Sequence, residues 1–136
     1  MRIVGFHGCH DSAYSILENG LPVSHVELER FTRRKNEIAN PIKFFLSRED
    51  QIETIKYFAM NLSSGINEHG YCEDLSKVEK VALNNNGKLF ITGHHQAHAA
   101  NAFFSSEFQE SLIITIDGGG MDDQEGCQSD KSKIDL

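Results

Sequence analysis

The chain has 136 residues, 39% hydrophobic and 24% charged, with a formal net charge of −7. That length and balance suit one soluble globular domain with a real core. The scattered acidic charge argues against sequence-independent nucleic-acid binding, and no apolar run approaches the roughly 20 residues of a membrane span.

Three widely spaced cysteines, Cys9, Cys72 and Cys127, form no CxxC pair, which points to a reducing compartment rather than a disulfide framework. The opening MRIVGFHG turns polar too soon for a signal peptide, so a cytoplasmic protein is expected.

Taken in chain order, RIVGFH (Arg2 to His7) reads as a buried strand and GCHDS as a turn. AYSILE and LPVSHVELE read as strands joined by a two-residue turn at Asn19-Gly20, giving three antiparallel neighbours. RFTRRKNE is a basic connection, and IKFFL after Pro41 a short helix. Ser47 with Asp50 resembles a helix N-cap, and Ile52, Ile55, Phe58, Ala59 and Leu62 sit at helical spacing after it. SSGINEHGYCEDLS reads as a loop, and KVEKVALN and KLFIT as strands around Asn86-Gly87. A helix is expected from His94 to Ser105, then a buried strand SLIITID, a GGG break and a polar tail from Met121 to Leu136. This order predicts an α/β protein with a mixed sheet.

Four stretches carry potential chemistry. His94 and His98 share one helix face a turn apart, the spacing at which two imidazoles can bind one metal ion. His95 takes the place of the glutamate that a metalloprotease needs, so that chemistry is excluded; His95 could still touch a substrate oxygen. Idle surface histidines would look the same. Asp117 ends a strand and precedes Gly118, Gly119 and Gly120, whose amides could approach phosphate, although a plain strand exit has this form too. His7, His10, Asp11 and Ser12 form a turn that could wrap a phosphate or be only a polar turn. Arg30, Arg33, Arg34 and Lys35 could grip an anion or form a solvated face.

The order of these stretches is more specific than any one of them. GFHGCHDSAYSILENG, ELERFTRRKN, HHQAHAANAFF and IITIDGGG resemble, in sequence, the motifs of the nodulation-factor and antibiotic O-carbamoyltransferases over residues 1–120. The resemblance implies the first subdomain of an actin-like ATPase (ribonuclease H-like) fold and the first strand of the second, with 121–136 as tail or truncated continuation. It implies a divalent metal (Fe, Mn or Zn) on His94, His98 and Asp117, and ATP or carbamoyladenylate nearby. His10, Asp11 and His95 become catalytic candidates. His10, Asp11, Ser12, Arg30, Lys35 and Gly118 to Gly120 become phosphate contacts. The implied reaction moves a carbamoyl group from carbamoyladenylate, made from carbamoyl phosphate and ATP, to a hydroxyl acceptor. Leu28 and Asn36 depart from the motif at its second Glu and its His, and Asn19 replaces an Asp. Family members are several times longer, so a chain inactive alone is expected. The alternative is a non-catalytic half-domain that binds metal or protein, with a homodimer expected through the apolar SLIITID edge.

Overall fold

The computed structural model describes residues 1–8, 10–50, 52–61 and 71–117. The expectations for Gly118, Gly119, Gly120 and the tail lie outside them.

A five-stranded mixed sheet has the order β3-β2-β1-β4-β5. β1 (Arg2–His7), β2 (Ala13–Glu18) and β3 (Leu21–Glu27) form the expected antiparallel meander around Asn19-Gly20, where both turn residues have positive φ. β4 (Tyr57–Asn61) runs parallel to β1, and β5 (Lys88–Thr92) parallel to β4. The α/β class with a mixed sheet is therefore established.

One face of this sheet makes the core. Val4, Phe6, Tyr14, Ile16, Phe58 and Met60 alternate toward two helices, α2 (Pro41–Leu46) and α3 (Tyr71–Asn84). Phe45 of α2 meets the rings of Phe6 and Tyr14 edge-on at 5.4 and 5.3 Å. α2 starts because Asn40 accepts the amide of Lys43 at 3.0 Å while Pro41 fills a first-turn position that needs no N–H. The other Asn40 amide atom donates to buried Asp74 at 2.8 Å, and this ties α2 to α3. The short helix α1 (Glu29–Thr32) follows β3. Leu28, where the motif has Glu, is buried in the core and anchors that corner.

Several expectations are corrected. Among the described residues between Arg48 and Asn61 there is no single helix: a 3₁₀ turn, Ile52–Thr54, leads into β4, and Leu62 lies outside the described residues. The apolar set fits both periods, and ladders on both sides of β4 decide for the strand, in which Phe58 and Met60 are buried by alternation. Ser47 caps no helix start; it ends α2, with its amide on Lys43 and its hydroxyl on Phe44. YCEDLS is not loop and KVEKVALN not strand: together they form α3, because Leu75, Val78 and Ala82 recur at helical spacing and are buried, while the SSGINEHG part of the expected loop lies outside the described residues. Ser111–Asp117 joins no strand ladder, and Leu112, Ile114 and Ile116 are 88, 72 and 92% exposed, so it is not a buried strand among the described residues. The helix at the histidine cluster is present as α4 (His94–Phe104).

Candidate metal centre and its cavity

β5 ends at Thr92, and Gly93 turns the chain into α4 with extended dihedrals of −63° and 155°. Glycine offers no side-chain acceptor here. The start is held instead by the Gln96 side chain, which accepts the Gly93 amide at 3.2 Å. His94 is therefore the first helical residue, buried against the end of the sheet, and His98 stands one turn further on the same face, about half exposed. Their rings lie 4.6 Å apart and nearly perpendicular.

Asp117 returns to these two after the 105–116 connection. Its Oδ2 lies 2.6 Å from His94 Nε2 and 3.3 Å from His98 Nε2, and the two nitrogens are 3.1 Å apart. Ligand atoms held at about 2.0–2.2 Å by one ion stand roughly 3.0–3.5 Å from one another. Two of the three separations fall in that span, and the third needs a small opening. Two imidazoles and a carboxylate also suit Zn, Mn or Fe chemically. An imidazole that ligates through Nε2 carries its proton on Nδ1. His94 Nδ1 is buried with no hydrogen-bond partner among the described residues, so this atom is where a supporting acceptor belongs. The donor set fits a divalent cation.

These residues form one wall of a cavity of about 790 Å³. Its floor is the second face of the sheet. One row across the strands runs His25, Ser15, Gly5, Ala59 and Phe90, directly paired from β3 to β5. A second row runs Glu27, Ala13 and His7, and the His7 ring is bonded to Asn61, itself paired with Thr92. Asn61 donates to His7 Nδ1 at 2.9 Å, and His7 Nε2 donates to the His10 carbonyl at 3.1 Å, so neighbours fix the tautomer. Burial holds the His7 imidazole below its ordinary value of 6.5; the Asn61 bond opposes this, and the nearby charges of His10 and His94 add to it.

The sequence-derived residues divide at this cavity. His10 and Asp11 line it, joined by a 2.8 Å bond, with Asp11 in a left-handed conformation (φ 56°). Ser12 does not line it. Its buried hydroxyl donates to the Ala39 carbonyl at 2.8 Å and accepts the Ala39 amide at 3.1 Å, pinning the segment before α2. Arg30 turns to Glu27 and Glu29 at 2.7 and 3.5 Å, Lys35 is exposed, and neither reaches the cavity wall. His95 packs edge-on against His94 and lies outside the lining. Sequence reasoning passed over Ser15, His25, Asn61 and Asn101, which do line it; alternation along the hairpin could have found Ser15.

No protein-family model matches the chain. It is 30% identical to an uncharacterized protein of Synechocystis sp., over 82% of this chain and 24% of that protein. It is 29% identical to an uncharacterized protein of Methanocaldococcus jannaschii, over 87% and 22%. It is 28% identical to nodulation protein NolNO of Sinorhizobium fredii, over 82% and 20%. The chain thus spans about a quarter or less of the length of these curated relatives. No helix among the described residues is long and apolar enough to cross a membrane.

Proposed function

We propose that this chain is part of an O-carbamoyltransferase in which His94, His98 and Asp117 hold a divalent metal ion beside the reacting groups. One observation carries the reading: the two histidines and an aspartate 19 and more residues away bring three ligand atoms within 4.8 Å of one another. The order of the motifs and the similarity to nodulation protein NolNO support it. The substrates under this reading are carbamoyladenylate, formed from carbamoyl phosphate and ATP, and a hydroxyl acceptor. The metal, Fe, Mn or Zn, supplies Lewis-acid polarisation of a phosphate or carbonyl oxygen. His10 and Asp11 contact the transferred group or its phosphate from the opposite turn. His7, neutral at pH 7, orients that turn through the His10 carbonyl. Ser12, Arg30, Lys35 and His95 stand outside this proposed site.

Titration calorimetry with Zn²⁺, Mn²⁺ and Fe²⁺ tests the centre. Binding by the wild type and its loss in the His94→Ala/His98→Ala double variant is the expected result; equal heats in both proteins refute it.

A second reading, a metal- or protein-binding module, is favoured by a separate observation. Phe104, Phe108, Leu112, Ile114 and Ile116 form a run of exposed apolar side chains. It predicts a defined homo-oligomer by light scattering, and a soluble monomer counts against it.

A further inference from the structure

We propose that Ser15 and His25 form a nucleophile–base pair on the cavity floor that takes up a carbamoyl group from an activated donor. Ser15 Oγ and His25 Nδ1 are 2.8 Å apart, within the reach that lets an imidazole accept a hydroxyl proton. Glu27 Oε1 lies 3.8 Å from the other ring nitrogen, Nε2, on the side where a carboxylate steadies the imidazolium that forms.

The pairing is not the one a simple hairpin produces. A two-residue turn at Asn19-Gly20 that pairs Glu18 with Leu21 and Leu17 with Pro22 continues to place Ser15 opposite Ser24. Instead a bulge between Ile16 and Leu17 leaves Val23 without an opposite residue, so Ile16 faces Ser24 and Ser15 faces His25. One inserted residue thus moves His25 from the core-facing set to the cavity-facing set. The ground beside Ser15 is also clear. Its partner on β1 is Gly5, in the middle of a strand where glycine is unfavourable, and a Cβ there would meet nothing within 4 Å. Ala59 continues the row, so a small planar donor can reach Ser15 Oγ from the cavity.

With carbamoyl phosphate, Ser15 Oγ attacks the carbonyl carbon and a C–O bond forms. The C–O bond to phosphate breaks, and phosphate leaves with the bonding pair. The serine proton passes to His25 Nδ1 and from there to the released phosphate. The carbamoyl-serine then yields its group to a hydroxyl acceptor, whose proton returns through His25 to Ser15. The inference rests on the proposed carbamoyl chemistry for the group transferred, with carbamoyl phosphate standing in for carbamoyladenylate as the mixed anhydride that is attacked, and not on the metal centre.

The test is incubation of the whole chain with carbamoyl phosphate in the absence of added metal, followed by peptide mass spectrometry. The peptide holding Ser15 gains one carbamoyl group in the wild type and gains none in Ser15→Ala. His25→Gln lowers the rate of labelling at Ser15 by roughly 100-fold, the scale of a general base. Background carbamoylation of lysine amines provides an internal standard that stays equal in all three proteins. Absence of label on Ser15 in the wild type, or an unchanged rate in His25→Gln, overturns the inference. Ser15 labelling without metal-binding heats would refute the metal centre alone, and metal-binding heats without Ser15 labelling would refute this pair alone.

Discussion

Gly87 sits where α3 hands over to β5, and alanine there should be costly. A Cβ at that position would lie 1.7 Å from the Lys56 carbonyl oxygen and 2.6 Å from its carbon, both backbone atoms that cannot rotate away. Reaching the 3.4 Å of an ordinary contact requires a relative movement of 1.7 Å between the starts of β4 and β5. That movement breaks the Lys88 amide bond to the same Lys56 oxygen, now 3.1 Å, and strains the Gly87 amide bond to Ala82, now 2.8 Å. Two weakened backbone bonds at about 1 kcal/mol each, with overpacking strain of about 1–3 kcal/mol, give about 3–5 kcal/mol in total. Urea denaturation followed by circular dichroism reads this directly. Because β5 leads through Gly93 straight to His94, the same variant should also weaken metal binding by calorimetry. Gly5→Ala is the matched control: its Cβ has open space, so its stability should stay within about 0.5 kcal/mol of the wild type. A loss below about 1 kcal/mol for Gly87→Ala would refute the argument from close approach.

Further outcomes follow from other contacts. Asp74→Ala should cost about 2 kcal/mol in urea unfolding, because it strands the part-buried Asn40 amide and loosens α2 from α3. Ser12→Ala should cost about 1–2 kcal/mol without altering metal-binding heats, since its hydroxyl serves Ala39 and not the cavity. His7 has a folded-state value below its unfolded 6.5, so protonation favours the unfolded chain. Its contribution is complete above pH 6.5 and is lost as pH falls through the lower folded value. His7→Gln should therefore flatten the fall in unfolding free energy between neutral and mildly acidic pH; an equally steep fall in both proteins would count against it.

The legible parts of the fold were those where local chemistry and tertiary context agree. Asn19-Gly20 needs positive φ at both residues, and the meander follows from it. HHQAHAANAFF forms the helix its composition predicts. β4 and α3 were read the wrong way round because each has apolar residues that fit two periods, and only the partners decide between them. β4 lies between two parallel neighbours that its own residues do not announce. In α3 the valines suggested a strand, but the recurrence of Leu75, Val78 and Ala82 held the helical signal. At the site, the pairing of His94 with His98 was visible as spacing, whereas the approach of Asp117 came only from motif order. The bonding of the Ser12 hydroxyl to Ala39 was not legible, because a sequence does not show which side of a turn faces inward. His25 was hidden by the bulge, which shifts register by one residue beside Pro22, and the proline alone does not say that an extra residue is inserted there.

The contact of Asp117 with His94 and His98 joins the two ends of the segment that carries the exposed apolar run from Phe104 to Ile116. Its two properties are consequently linked in both directions. Under the proposed metal centre, a cation that drew the three ligands together would narrow the conformations open to residues 105–116, and a cover on Leu112, Ile114 and Ile116 that favoured the same conformations would raise the affinity for the cation by the same factor. Affinity for metal would then be a gauge of whether that apolar surface is engaged, readable from outside the interface itself.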